Sequence, residues 1–213
     1  MKYLITAGPT REPIDPVRFL SNRSSGKMGY AIAEAALAAG HEVVLVSGPV
    51  CLAPPPGAEL VRVTTSDEMF DAVHARAAAA DIAVLAAAVA DFKPLRAAPL
   101  KIKKEAGPPS LALVPTRDIL ASLGAMRPRK FLLAGFAAET NDLAANALGK
   151  MRRKGCDVIV ANDVSLPGSG FESDENEATV FYPDQTSRVF KRAAKRELAR
   201  AFVTIFDELR KKS

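Results

Sequence analysis

Short, unbroken apolar runs recur along this chain, each closed by turn residues and followed by a segment of helical pattern. Tyr3-Leu4-Ile5-Thr6-Ala7-Gly8 is the first, and Glu42-Val43-Val44-Leu45-Val46-Ser47 the second. Leu60 to Thr64, Ile82 to Ala87, Phe131 to Phe136 and Val158 to Ala161 continue the series. A strand that is covered on both faces loses the in–out alternation of a half-exposed one and reads as a continuous hydrophobic run. Helical patterns fall between them. One follows Ser66-Asp67-Glu68, with Met69, Val73 and Ala77 on one face, and others cover about 139–154 and 192–210. The expected fold is therefore α/β: a Rossmann-like, mostly parallel sheet with helices on both faces.

Two stretches break the alternation. Residues 96–115 are rich in Pro, Lys and Gly and read as a strand-like flap outside the sheet. Ala178 to Tyr182 and Arg188 to Phe190 flank Pro183-Asp184, the pattern of a C-terminal antiparallel hairpin. With 213 residues and 48% hydrophobic content, a single domain over 1–213 can bury a sizeable core.

The net charge is +5 and the sequence pI about 9.3. The positive charge forms no polybasic arm, and only 6% of residues are aromatic, which disfavours stacking on single-stranded nucleic acid. Small phosphorylated ligands suit the lysine distribution better. Cys51 and Cys156 form no C-x-x-C pair, and the first residues lack the shape of a signal peptide. No apolar run approaches the roughly 18 residues of a membrane span. A cytoplasmic protein without nucleic-acid or membrane partners is expected.

Between the first strand and first helix lies a long loop, Asp15-Pro16-Val17-Arg18-Phe19-Leu20-Ser21-Asn22-Arg23-Ser24-Ser25-Gly26-Lys27-Met28-Gly29. Its small residues meet a helix start, where free N–H groups and the macrodipole favour an anion. An ordinary serine N-cap is the alternative. Arg18 and Asn22 add a cation and an amide. No G-x-G-x-x-G follows the first strand, the second strand ends without an acidic residue, and Ser25-Gly26-Lys27-Met28 is not a P-loop. Asp91 ends a run of small residues after a strand, where it could meet a ribose or a metal, or simply face solvent. Lys101-Ile102-Lys103-Lys104 marks the flap, and Lys150 and Lys154 share a helix face. Phe136 either flanks a base or packs in the core, and Asn162-Asp163 has the same two readings.

Taken in order, these blocks resemble the phosphopantothenate–cysteine ligases, in their bacterial CTP-using form. The resemblance runs through Thr6 to Glu12, Asp15 to Arg18, Ser21-Asn22, Ser24 to Gly29, Ala87 to Asp91, Lys101 to Lys104, Gly135 to Thr140, Ala161 to Ser165, Gly170 to Asp174 and Asn176. It implies a ligase that joins 4′-phosphopantothenate to L-cysteine through an acyl-cytidylate, turning CTP into CMP and pyrophosphate with Mg²⁺. It also implies a homodimer with the flap at the interface, and a flavin-dependent decarboxylase, fused or separate. By matching position, Asp91, Lys101, Thr116, Arg117, Asp118, Ile119, Phe136, Lys150 and Lys154 would contact CTP, and Asp91 is the metal candidate. Arg18, Asn22, Ser24, Ser25 and Gly26 would hold the phosphopantothenate, with Asn22 and Lys101 catalytic. Thr116-Arg117 departs from the common Asn-Pro at that point, so recognition there would fall to the backbone. An NAD(P)-dependent oxidoreductase and a catalytically silent nucleotide-binding module are the competing expectations.

Overall fold

The computed structural model describes residues 1–104, 110–139, 142–163 and 173–212. The apolar runs become the strands β1 (Lys2–Ala7), β4 (Glu42–Ser47), β5 (Glu59–Arg62), β6 (Ile82–Leu85), β9 (Leu132–Glu139) and β10 (Val158–Asp163). All pair in parallel, in the order β10-β9-β6-β1-β4-β5. Two antiparallel strands, β11 (Glu175–Phe181) and β12 (Ser187–Ala194), extend the sheet beyond β10. The expected C-terminal hairpin is thus present, longer at both ends than its apolar residues suggest.

Period-two alternation survives inside the apolar runs, hidden because both faces are covered. Tyr3 and Ile5 of β1 pack with α1 (Lys27–Ala38) and α5 (Lys195–Lys212) on one side. Leu4 faces the other, where α2 (Ser66–Ala77), α3 (Ile119–Ala125) and α4 (Leu143–Lys154) supply Met69, Val73, Ala77, Leu123, Ala147 and Met151. Fully burying one such large apolar side chain is worth about 1.5–3 kcal/mol. Thr65 caps α2, one residue before the expected start, in a reciprocal capping box with Glu68. Tyr3 ties the first strand to the last helix by donating its hydroxyl to Asp207 Oδ1 at 2.5 Å. Burial, then the acceptor and charge of Asp207, push the phenol far above its ordinary value and keep it a donor.

Three elements were not expected from the sequence. The long loop folds back as a small hairpin, β2 (Arg11–Pro13) with β3 (Phe19–Ser21). The flap is rooted in an antiparallel pair, β7 (Phe92–Pro94) with β8 (Leu113–Pro115), so it springs from the chain before residue 96. The helix α3 follows it directly. Residues 105–109, inside the flap, lie outside the described residues.

The first turn of α1 sits on the end of β1 at a point where only glycine fits. A Cβ on Gly29 would lie 2.6 Å from Ala7 Cβ and 2.9 Å from the Thr6 carbonyl oxygen. Gly29→Ala must push α1 off the sheet, an overpacking cost of about 1–3 kcal/mol. Thermal unfolding should show Tm falling by several degrees, and an unchanged Tm would refute the close approach.

Candidate active site

The strand order reverses between β1 and β6, because the connection after β1 runs to β4 on one side and the later strands build outward on the other. Ligands of open α/β sheets collect in the crevice beyond the carboxyl ends at such a point. Here a cavity of about 670 Å³ opens there. Its walls come from the start of α1, the segment 85–91 after β6, residues 115–120, the end of β9 and the second half of α4. Its size is that of an ordinary small-molecule site.

The rim is stitched by short bonds between the ends of β1 and β6. Ala87 N and Ala90 N donate to the hydroxyls of Thr6 and Thr10 at 3.1 and 3.0 Å, and Ala88 N donates to the Gly8 carbonyl at 2.9 Å. Asn22 follows β3 and reaches into the cavity wall, its Nδ2 donating to the Ala88 carbonyl at 2.9 Å. Gly26 is the N-cap of α1, with φ +79° and no side-chain cap on the helix. The serine-cap alternative is thereby corrected: Ser24 Oγ accepts from Gly26 N instead, at 3.3 Å. A positive φ at that point suits glycine and leaves the first-turn N–H groups without a side-chain cap. Ser24 and Gly26 line the cavity, while Ser25 does not.

Lys150 and Lys154 do share a helix face, and both line the cavity. Lys150 Nζ donates to the Phe136 carbonyl at 2.8 Å. Lys154 pairs with Asp118, whose other oxygen accepts from Ala121 N at 2.8 Å and so caps α3. Burial raises the Asp118 carboxyl, but Lys154 and the Ala121 N–H outweigh it and hold it below the usual range. Phe136 packs edge-on against Phe202 at 6.2 Å, as its core reading expects, and also lines the cavity. Lys27, Asn162, Asn176 and Lys195 also reach the cavity.

Thr116 and Arg117 turn their side chains to structural partners. Thr116 Oγ1 donates to the Ala90 carbonyl at 2.6 Å, and Thr116 N to the Asp91 carbonyl at 2.9 Å. Arg117 leans over Phe70 and pairs with Asp67 and Asp71 of α2 at 3.0 and 2.8 Å. Asp91 is exposed at the rim. Among the described residues no group of three His, Cys, Asp or Glu side chains could hold a metal. A Mg²⁺ carried mainly by phosphates and water would still suit Asp91 as a carboxylate partner.

Arg18 and Lys101 are not brought to this cavity. Arg18 grips Asp15 through Nε and Nη2, at 3.0 and 2.5 Å, and donates to the Ile102 carbonyl at 3.0 Å. Asp15 is buried and also accepts from the N–H groups of Val17, Arg18 and Ile102. The Arg18 guanidinium holds its carboxyl far below the usual range. The β2–β3 hairpin thus clasps the flap, with the exposed Lys101 beside the clasp. Lys195 is absent from the sequence expectations, since nothing local in its segment marks a ligand group. Burial pushes the Cys156 thiol up to about 12, so it is no nucleophile at neutral pH. Thr140, Val164, Ser165 and Gly170 to Glu172 lie outside the described residues, as do the side chains of Glu139 and Asp163.

The model of the DNA/pantothenate metabolism flavoprotein C-terminal domain family matches residues 1–209. The coenzyme A biosynthesis bifunctional protein CoaBC of Vibrio parahaemolyticus is 49% identical over 183 residues, covering 85% of this chain and 46% of that protein. The chain therefore spans about half the length of the curated relatives it matches. A crystal structure of the C-terminal domain of CoaBC superposes with TM-score 0.85 and 39% identity, covering all of this chain and 96% of that one. A mutant Cab2 in complex with phosphopantothenate-cysteine shares the fold, with TM-score 0.78 and 19% identity over 98% of this chain and 87% of that one.

Asp118 joins α3 to α4, so Asp118→Ala should cost about 0.5–2 kcal/mol in urea unfolding, the usual value of an N-cap. Its folded pKa is depressed, so the stabilisation is complete above the unfolded value near 3.9 and is lost as pH falls through the folded one. The difference between wild type and variant should shrink below about pH 4; a constant difference would deny the ionised cap.

Proposed function

Because the chain belongs to the family of DNA/pantothenate metabolism flavoprotein C-terminal domains, we propose that it is a phosphopantothenate–cysteine ligase of coenzyme A biosynthesis. One observation carries the reading. A single cavity at the switch point joins the uncapped start of α1 and Asn22 on one side to Lys150, Lys154 and a backbone-lined wall on the other. That is room for an acyl substrate and a nucleotide side by side. The phosphopantothenate-cysteine held by Cab2, a protein of the same fold, supports the substrate assignment.

A free carboxylate is a poor acylating agent. In the proposed reaction it attacks the α-phosphorus of CTP, the bond to the β-phosphate breaks, and pyrophosphate leaves with the electron pair. The acyl-cytidylate so formed is a mixed anhydride. The neutral amine of cysteine then attacks its carbonyl carbon, the acyl C–O bond breaks, CMP leaves with the electron pair, and the one proton that nitrogen sheds passes to water. Lys150 and Lys154 offset the charge gathered in the first step. The second Nδ2 hydrogen of Asn22 serves the oxyanion of the second, a contribution worth about 2.7–4 kcal/mol in comparable sites. Mg²⁺, held by Asp91 and the nucleotide phosphates, would supply further charge neutralisation. The base of the nucleotide would meet backbone at 116–119, since Thr116 and Arg117 are otherwise engaged.

Arg18 and Lys101 fit this scheme through a second copy of the chain. Phe92, Leu95, Leu100, Leu111 and Leu113 leave large apolar groups exposed on the flap, and Val17 and Phe19 do so on the neighbouring hairpin. Contiguous apolar surface of this kind marks an interaction face. We infer a homodimer in which one copy's flap carries Lys101 to its partner's cavity. The relatives' bifunctional character supports a flavin-dependent decarboxylase partner, fused or separate. Two free thiols suit the cytoplasm.

Pyrophosphate release measured with CTP, ATP, GTP and UTP in parallel tests the activity. Release should require phosphopantothenate, favour CTP, and lead to the amide only when cysteine is added. In rapid-quench assays Asn22→Ala should slow mainly amide formation, by about 10²–10³, and Lys101→Ala mainly acyl-cytidylate formation. Near wild-type rates for both half-reactions in both variants would overturn these roles.

A further inference from the structure

At the end of the cavity farthest along the sheet, β11 and α5 place three polar groups that the scheme above does not use. Asn176 stands on β11 in the same alternating series as the buried Ala178 and Val180, at the edge where the core on that face gives way to the cavity. The pairing of β11 with β12 shifts register between Asn176 and Ala178. Such a bulge re-aims the side chain at its position. Asn176 is 5% exposed, and its Oδ1 has no hydrogen-bond partner among the described residues. A buried acceptor left unpaired is costly, so its persistence at a cavity wall calls for an explanation in a ligand. An oxygen of this kind can only accept, so what it lacks is an N–H or O–H donor.

The other two groups are ammoniums. Lys195, the first residue of α5, is 6% exposed and lines the same cavity. Its backbone N donates to the Asp174 carbonyl at 2.9 Å, which fixes the helix start beside β11. Lys27, in the first turn of α1, pairs with the Asp174 carboxylate at 2.6 Å. Burial disfavours the charged form of Lys195, the nearby Lys27 adds to that, and Asp174 opposes it. Two cations at the head of two helices would be relieved by an anionic ligand group. The neighbouring Asn176 Oδ1 asks at the same time for a donor. A phosphate or pyrophosphate would answer the cations and leave the oxygen orphaned. An α-amino acid answers both, with donor and carboxylate one carbon apart.

We propose that Asn176, Lys195 and Lys27 form the site of the α-amino-acid substrate, Asn176 Oδ1 accepting from the α-amino group while the two lysines hold the α-carboxylate. The proposal rests on the ligase reading. It places the attacking nitrogen in the same cavity as Asn22, which faces it from the β1–α1 side. Recognition of the carboxylate gives the site a means to prefer L-cysteine over cysteamine, which has the same amine and thiol and no carboxylate.

The test compares wild type with Asn176→Ala, Lys195→Met and Lys195→Arg in the full chain. KM is measured for L-cysteine, cysteamine, CTP and phosphopantothenate. Asn176→Ala and Lys195→Met should raise KM for L-cysteine at least about tenfold while moving KM for CTP by less than about threefold. Lys195→Met should also erase most of the preference for L-cysteine over cysteamine, and Lys195→Arg, which keeps the cation, should restore it. An equal rise in KM for CTP, or slowed acyl-cytidylate formation without cysteine, would assign the lysines to the phosphates and overturn the proposal. An unchanged cysteine-to-cysteamine ratio in Lys195→Met would overturn it as well. If Asn176→Ala does not fold, Lys195→Met and Lys195→Arg decide the matter alone. Absence of any cysteine-dependent amide from the wild type would instead remove the ligase reading, a separate and recognisable outcome.

Discussion

Two adjacent parallel strands whose connections leave in opposite directions cannot have the space beyond their carboxyl ends filled by either connection. Between β1 and β6 that geometry holds open a crevice in a sheet otherwise covered on both faces. Asn22, Asp91, Lys150 and Lys154 are arranged around it. The strand ends are pinned by bonds from Ala87, Ala88 and Ala90 to Thr6, Gly8 and Thr10. Small side chains there let a ligand approach the main chain. The stiff sheet below supplies the rigidity that loops alone would lack.

A second centre of organisation is the buried Asp15. Five N–H donors converge on its carboxylate, the backbone N–H groups of Val17, Arg18 and Ile102 and two from the Arg18 guanidinium. The flap is thereby held to the body of the protein at its middle as well as at its β7–β8 root. Its apolar residues face outward from that anchorage. A segment held at its middle and at its root, with its greasy side exposed, presents that side in a defined orientation.

Much of this was legible in the sequence, for a definite reason. Strands covered on both faces must be apolar throughout, so Val43 to Val46 or Ile82 to Leu85 could hardly be anything else. The pairing of Lys150 with Lys154 followed from helical spacing alone. What escaped notice depends on distant partners. The β2–β3 hairpin is three residues to a strand and lacks apolar alternation, because it is held by Asp15 and the flap more than by its own sequence. The seven residues of α3 begin inside a stretch that reads as a loop, and only Asp118 as N-cap betrays them. Lys195 is one of many charged residues in its segment, and only the fold shows that it is buried. Arg18 and Lys101 were expected at the cavity; within one chain they lie outside it, because the Asp15 clasp draws their segment away.

The position of Arg117 bears on how such a site changes over time. Its guanidinium is committed to Asp67, Asp71 and the face of Phe70 on α2, and the neighbouring Thr116 hydroxyl to the Ala90 carbonyl. With those side chains engaged, a ligand at Thr116 and Arg117 would be left the peptide groups, which every residue type shares. Specificity written in peptide groups is invisible to most point mutations. Side chains at such positions are available to brace the scaffold instead, as Arg117 does. A substitution here would alter the bracing of α2 and leave the peptide groups themselves unchanged.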